Sequence, residues 1–269
     1  MAEPVARIRP FQASDDKVVR FAIGKAHMES LAVANRRGYA HPFTIIIFLV
    51  LSYIFVRYMN MWPTDAFGFL GYLRPFPLMA ATAVPIMAFI DWVNRPYFER
   101  AVRDALRGRD MSDIPAYYSR YPSSGFWILD YGNQFLGLIS LDASPDSVPT
   151  QSTSLRKSTG NRKKAATQGG SAKTAIIRHF YIDEVYRGSG IQADLLRHAV
   201  QSAFDSDEQV LHIRAIDSPL NNYIHSCLQE AGFAIEHPIE EVGLFRWKID
   251  MRTLERDVWE SSSRVSVGQ

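Results

Sequence analysis

The chain contains a single cysteine, Cys227, so it can form no intrachain disulfide and no zinc site built on thiolates. A cytosolic redox environment is the default expectation for the folded part, and no metal site is expected. Charge imbalance is missing too: 30 Lys and Arg stand against 28 Asp and Glu, a formal net charge of +2. That balance lacks the electrostatic footprint of a nucleic-acid binder, and the pI near 8.6 traces to local basic runs. Met1 to Asp16 is polar, with neither an apolar core nor a small-residue cleavage site, so no cleavable secretory signal is expected. Apolar material is plentiful instead. With 47% hydrophobic residues and 12% aromatics, 269 residues suffice for one sizeable domain plus an accessory element.

The chain opens with a short alternating stretch, Ala6 to Phe11, and a helix start at Ser14-Asp15-Asp16. Val18, Val19, Ala22, Ile23, Ala26, Met28, Leu31 and Ala32 then give a helical apolar face that runs to Arg36-Arg37. Pro42 to Trp62 is an apolar run about as long as a bilayer is thick, and its one charge, Arg57, sits near an end where it can snorkel. It predicts a transmembrane helix. After a Gly-rich break, Asp65 to Arg74, a second apolar segment runs from Pro75 to Val93 with Pro77 and Pro85 inside it. Membrane helices tolerate proline, so the pair reads as a hairpin, although a buried or re-entrant helix fits the second segment as well. Trp62, Tyr72 and Trp92 fall at interfacial depth. Arginines crowd outside the hairpin (36, 37, 95, 100, 103, 107 and 109), whereas the connection carries only Arg57 and Arg74. The positive-inside rule then places both termini in the cytosol.

Beyond the hairpin, Pro96 to Gly108 predicts an amphipathic helix, lying either on the anionic leaflet or against a sheet. Ser112 is expected to cap a helix over Asp113 to Arg120. Strands are expected over Gly125–Leu129 and Gln134–Leu141, around a turn at Asp130 to Asn133. Residues 142–174, rich in Ser, Thr, Gly, Gln and Lys, predict a disordered loop whose basic clusters read as solvated charge. Strands follow over Ala175–Ile182, Gln209–Asp217, Phe233–Glu236 and Val242–Asp250. Helices are expected from Ile191, over Pro219–Glu230 ending at a left-handed Gly232, and over Met251–Glu260, before a frayed tail, 261–269.

The chemistry concentrates at Arg187-Gly188-Ser189-Gly190-Ile191-Gln192, where strand, glycine turn and helix start adjoin. Such a turn aims unpaired backbone N–H groups and a positive helix end at one point, as phosphate or pyrophosphate requires. Taken alone, the same glycines also fit a plain strand-to-helix turn.

The order of elements, the Arg-Gly-x-Gly turn and the helix ending in Gly232-Phe233 resemble the GNAT superfamily of acetyl-CoA-dependent N-acetyltransferases. The resemblance covers most of the chain outside the hairpin and the 142–174 loop. It is sharper to the membrane-anchored, camello-like N-acetyltransferases of the endoplasmic reticulum, which include the enzyme acetylating cysteine S-conjugates. These have a hairpin at the same place and segments similar to Ala105-Leu106-Arg107, Asp110-Met111-Ser112-Asp113-Ile114, Phe126-Trp127 and His179. The fold implied is α/β (α+β), a mixed central sheet flanked by helices with an inserted two-helix transmembrane hairpin. The GNAT-like domain would span 1–41, 95–141 and 175–260, with the hairpin at 42–94. The implied location is the endoplasmic-reticulum membrane, multi-pass, and the implied co-substrate is acetyl-CoA. Backbone amides of Arg187, Gly188, Ser189, Gly190, Ile191 and Gln192 would hold the pyrophosphate, the chain beside Tyr181 and Ile182 would pair with pantetheine, and Asn221 matches a cofactor-side position. His179 is the candidate base for an attacking amine, since imidazole titrates near neutral pH; a structural histidine is the other reading.

Two positions depart from the family pattern. Gln192 replaces the last small residue of the loop, so its side chain either crowds the phosphates or turns outward. Leu228 stands where the family commonly has a tyrosine that protonates the leaving thiolate; Tyr223, His225 and Cys227 are nearby, and none is four residues from Leu228. The sequence therefore supports acetyl transfer to an amine of a small conjugate or a protein at the cytosolic face. The alternative is a catalytically degenerate membrane adaptor with a membrane-protein partner, and a third reading is an acyl-CoA sensor. Partners expected are the bilayer, acetyl-CoA, the acceptor, and a membrane protein or a second copy; nucleic acid is not expected.

Overall fold

The computed structural model describes residues 6–63, 68–132, 134–145 and 172–266. The chain divides into two compact units, one made of Met28–Glu99 with Val242–Arg246, the other of the remainder.

The larger unit is built on a seven-stranded sheet in the order β1-β2-β3-β4-β5-β7-β6. Its strands are β1 (Ala6–Pro10), β2 (Gly125–Tyr131), β3 (Gln134–Asp142), β4 (Thr174–Ile182), β5 (His212–Asp217), β6 (Ala234–Val242) and β7 (Trp247–Glu255). The β1–β2, β2–β3, β3–β4 and β5–β7 pairs are antiparallel, and β4–β5 is parallel. Both faces are covered. On one, Leu195, Leu196, Ala199, Val200 and Phe204 of α6 (Ile191–Ser206) and Leu228 of α7 (Asn222–Glu230) pack on Trp127, Leu129, Ile139, Leu141 and Ile177. On the other, Val19, Ala22 and Ile23 of α1 (Asp16–Tyr39) and Ile114 and Tyr118 of α5 (Ile114–Tyr118) pack on Phe126, Ile128, Leu138 and Tyr181. Burying each such aliphatic side chain contributes about 1.5–3 kcal/mol. The helical spacing from Leu195 to Phe204 has this burial as its cause.

One irregularity decides where the polar residues point. In the β3–β4 register His179 faces Ser140 and Ile177 faces Leu141, which leaves Arg178 as an extra, bulged residue. Strict alternation from Ala175 and Ile177 would carry His179 and Tyr181 onto the α6 face. The bulge shifts the phase, so Phe180 and Ile182 join the α6 face and Tyr181 joins the α1 face.

In the smaller unit α2 (Pro42–Tyr58) is followed, among the described residues, by the short α3 (Phe69–Tyr72) and by α4 (Phe76–Leu106), 31 residues long, up to its Glu99. Ser52 Oγ and Thr82 Oγ1 lie 2.7 Å apart between α2 and α4. The Asn35 amide donates to Asp91 at 2.7 Å, the buried Asn94 amide donates to Asn35 at 2.9 Å, and Asn94 Oδ1 accepts the Leu244 N–H at 2.8 Å. Large apolar side chains are nevertheless exposed along α2 (Phe43, Ile46, Leu49, Val50, Ile54) and α4 (Val84, Phe89, Trp92). Among the described helices, α4 is long and apolar enough to cross a membrane, and α2 has 17 residues. A cavity of about 630 Å³ lies here between Phe43, Phe89, Ile90 and Phe245, the last stacked on His41 at 4.1 Å. None of the residues expected to meet acetyl-CoA line it.

Several expected elements change extent. The segments Pro75–Val93 and Pro96–Gly108 form one helix, α4, which continues through Pro85 and Pro96. Asp113, not Ser112, caps α5, accepting the Ala116 N–H at 3.1 Å, and the helix stops at Tyr118. β5 and α7 begin three residues later than expected. The last two strands run over Ala234–Val242 and Trp247–Glu255, hinged at Gly243 and Arg246, both with positive φ. Residues 251–255 thereby belong to β7, and the terminal helix α8 is Arg256–Ser266. Gly232 adopts the left-handed cap, φ +87°. The expected loop falls at 146–171 outside the described residues, as do Asn133 in the β2–β3 turn and the end of the tail.

Gly137 lies opposite Ile182, and a Cβ there would come within 2.6 Å of the Tyr181 carbonyl oxygen and 2.4 Å of Ile182 Cδ1. Backbone cannot yield as a flexible side chain can. Gly137→Ala is therefore expected to destabilise the protein by about 1–3 kcal/mol, read as a lower thermal midpoint. An unchanged midpoint would show that β3 and β4 are not held in this register.

Candidate active site

The site begins where two strands part. The parallel β4–β5 register runs from Thr174↔His212 to Ile177↔Ala215 and stops there, while β4 continues to Ile182 paired with β3 alone. From Arg178 to Ile182 the edge of β4 toward β5 thus has no strand partner. Backbone N–H and C=O groups are strong hydrogen-bonding groups, and beyond Ile177 no strand takes those on the β5 side.

The chain leaves β4 through Asp183, whose N–H donates to the Leu136 carbonyl at 2.8 Å and whose carboxylate accepts the Val185 N–H at 3.3 Å. A 3-10 turn, Glu184–Ser189, leads to Gly190 at φ +79°, and α6 starts at Ile191. The left-handed φ is what requires glycine at this position. A Cβ on Gly188 or Gly190 would meet no protein atom within 4 Å, so the space over this turn is open. Among the opening N–H groups of α6, that of Ala193 donates to the Gly190 carbonyl at 2.9 Å, and those of Ile191 and Gln192 have no acceptor within the helix. Arg187 faces inward instead. Its Nε donates to the Ile182 carbonyl at 2.9 Å, and its guanidinium covers the Tyr223 ring at 4.1 Å and stands 5.8 Å from that of Tyr181. Ser189 Oγ donates to the Tyr186 carbonyl at 2.7 Å. Gln192 does not turn outward: its Oε1 is buried without a hydrogen-bond partner. Asn221 caps α7 through its backbone, and Leu228 is fully buried in the core.

On the opposite sheet face His179 heads a buried polar cluster. Its Nε2 lies 2.8 Å from Asp110 Oδ2, and its backbone N–H donates to Ser140 Oγ at 3.1 Å. Tyr118 Oη lies 3.2 Å from Asp110 Oδ2 and 3.1 Å from Ser140 Oγ. Burial would raise the Asp110 carboxyl, but its hydrogen bond and charge attraction to His179 outweigh this and hold it below the ordinary value. Burial, followed by the charge of Asp110, holds the Tyr118 phenol well above its usual range, so Tyr118 acts only as a neutral donor. With Nε2–H given to Asp110, Nδ1 is the ring nitrogen left to take a proton, an orienter–base pair of the kind used in nucleophilic catalysis. Beside it the buried Asp142 carboxylate binds Arg178 Nε at 2.7 Å and the Tyr117 hydroxyl at 2.8 Å. Lys25 pairs with Asp183 at 3.0 Å and lies 5.8 Å from the Tyr181 ring, tying α1 to the end of β4.

Sequence reasoning named His179 and the loop and missed Asp110, Tyr118, Ser140 and Arg178. Asp110 lies within a segment already singled out, but a contact across 69 residues leaves no spacing signal. The bulge at Arg178 has none either.

The acetyltransferase (GNAT) family model matches residues 86–233, more than half of the chain. The chain belongs to the GNAT acetyltransferase family. It is also 26% identical, over 200 residues, to the N-acetylaspartate synthetase of Danio rerio, covering 73% of this chain and 56% of that protein. The chain thus spans just over half the length of this curated relative. Among solved structures, a Salmonella typhimurium acetyltransferase determined with its cofactor acetyl-CoA is 14% identical, over 55% of this chain and 75% of that one, at TM-score 0.38. An IAA acetyltransferase from Bacillus cereus is 17% identical, over 53% and 82%, at TM-score 0.35. These superpositions are partial, and the family assignment rests on the family model.

Acetyl-CoA is the co-substrate of this family. The open space over Gly188 and Gly190, the left-handed turn and the start of α6 fit its pyrophosphate, and the edge of β4 beyond its pairing with β5 fits the amides of its pantetheine arm. The buried Gln192 Oε1 is an acceptor, so it suits an N–H or O–H donor and not a phosphate oxygen.

The half-buried His27 on α1 faces the same cluster. Burial, with the charge of His179 second, pushes its imidazole down from 6.5 to about 4. Between those values the unfolded chain binds more protons than the folded one, so stability rises with pH through this window. The protein is expected to lose stability as pH falls from about 6.5 to 4, and His27→Gln to flatten that slope in denaturant titrations. Parallel wild-type and variant slopes would contradict a neutral, packed His27.

Proposed function

We propose that this protein is a membrane-anchored, acetyl-CoA-dependent N-acetyltransferase that acts on an amine of a small conjugate or a protein at the cytosolic face of the endoplasmic-reticulum membrane, as in the camello-like branch. The observation that carries the reading is the opening between β4 and β5, which leads directly into the Arg187–Gln192 turn within the same unit. A strand edge that outruns its neighbouring strand and is followed by an anion-binding turn suits an elongated ligand with amides at one end and phosphates at the other.

In this mechanism the β4 edge beside Tyr181 and Ile182 orients the pantetheine arm. The amides from Gly188 to Gln192 meet the pyrophosphate, and Arg187 braces the turn against Ile182 and Tyr223. His179, oriented through Nε2 by Asp110, takes the proton of the attacking amine at Nδ1. Likeness to an N-acetylaspartate synthetase supports a small acceptor over a protein. The exposed apolar faces of α2 and α4 support a two-helix membrane anchor, and the arginine bias around them supports cytosolic termini.

Titration of the purified full-length chain with acetyl-CoA is expected to give saturable binding within about 1 μM–1 mM, the usual span for enzyme substrates. Gly190→Glu should abolish it, because it places a bulky anion at a left-handed position in the phosphate turn. Wild type that binds nothing at millimolar acetyl-CoA would refute the reading. The anchor has its own check: in cell fractionation the chain should stay with membranes through an alkaline carbonate wash, whereas full release into the supernatant would argue against a spanning hairpin.

A further inference from the structure

A second histidine–aspartate pair stands at the other lip of the β4–β5 opening. β5 ends at Asp217, two residues past its last pairing with β4, at Ala215. Asp217 is 3% exposed as a residue, and its Oδ2 lies 2.8 Å from His225 Nδ1 on α7 and 2.6 Å from Arg252 Nε on β7. The buried Arg252 also donates to the Phe233 carbonyl at 2.9 Å, which fixes it in place. The other carboxylate oxygen, Asp217 Oδ1, is buried and has no hydrogen-bond partner. The His225 side chain, by contrast, is 40% exposed. A buried carboxylate that holds Nδ1 of a half-open imidazole leaves Nε2 as the outward nitrogen, in a fixed ring orientation.

Helix geometry puts His225 where it matters. It lies one turn from Asn221 and three residues before Leu228, both neighbouring positions on a helix surface. Other proton carriers nearby are engaged or closed: Cys227 is buried, its thiol pushed up to about 12 by burial, and the Tyr223 ring is covered by Arg187. Acetyl transfer from a thioester needs a proton at the departing sulfur, and Leu228 has none to give.

We infer that His225, held by Asp217, is the proton donor to the leaving thiolate. The inference rests on the acetyltransferase reading above. The amine nitrogen forms the new C–N bond, the C–S bond breaks, and its electron pair goes to sulfur. Sulfur takes the Nε2 proton of the His225 imidazolium, whose Nδ1–H stays on Asp217, and leaves it neutral, while His179 Nδ1 takes the proton lost by the amine. Solvent then returns a proton to His225 and removes one from His179, so the sum is amine plus acetyl-CoA giving amide plus CoA.

The test uses the full-length protein and His225→Phe, with folding secured by the exposure of this side chain. With acetyl-CoA, kcat should fall about 100-fold, the scale of one general acid. With an acetyl thioester of a more acidic thiol, which departs without protonation, the loss should shrink to severalfold; a merely structural role would cost both donors equally. In calorimetry, wild type should bind CoA tighter than its desulfo analogue, and the variant should bind the two alike. Equal losses with both donors, or a retained preference for CoA over desulfo-CoA, would overturn the role of His225 while leaving cofactor binding intact. Absence of any CoA binding by wild type would instead bring down the acetyltransferase reading, and this inference with it.

Discussion

The structure depends on one constraint: β4 pairs with β3 from Ile176 to Ile182, across the bulge at Arg178, but with β5 over only four residues, Thr174 to Ile177. A strand in mid-sheet that runs on past its neighbour carries strong backbone hydrogen-bonding groups that no strand takes on that side. Everything nearby is arranged to tolerate that. β5 turns to β7, with which it pairs from His212 to Asp217. Arg187 returns from the turn to bond the last carbonyl of β4. Lys25 and Asp183 tie α1 to the same point. The parting of the strands is thus braced by Arg187 and by the Lys25–Asp183 pair.

The bulge at Arg178 is the second device, and it acts on the same strand. By shifting side-chain phase it removes His179 from the apolar α6 face and delivers it to Asp110, Tyr118 and Ser140. In the low-dielectric interior a histidine–carboxylate pair is favourable only if its remaining groups are also satisfied, and Tyr118 and Ser140 provide this. Arg178 itself is drawn to the buried Asp142, whose charge outweighs the burial that would lower the guanidinium and holds it above its ordinary value. A single extra residue therefore sets a catalytic candidate on one face and anchors an ion pair beside it.

Much of this was legible in the sequence, and the rest was hidden for physical reasons. The glycine turn could be read because a positive φ at Gly190 leaves few other residues admissible. α6 could be read because burial demands the spacing of Leu195, Leu196, Val200 and Phe204. The length of α4 could not, since Pro85 and Pro96 weigh against a continuous helix by local propensity, and tertiary context overrides propensity. β6 is exposed along most of its length, so no alternation marked its ends. Met251 and Leu254 fall in the segment expected to be the terminal helix, yet both are buried within β7. The partners of His179 and of His225 come from elsewhere in the chain, and contacts between distant segments leave no period to detect.

The central claim is that the open edge of β4 and the turn after it form one ligand site. Amide hydrogen exchange of the full-length protein, with and without saturating CoA, tests it most directly. The account predicts new protection in two stretches, residues 178–182 on β4 and 188–193 at the start of α6, with β1 and β2 unchanged. Protection that spares both stretches, or that falls on the α2–α4 helices instead, would contradict it.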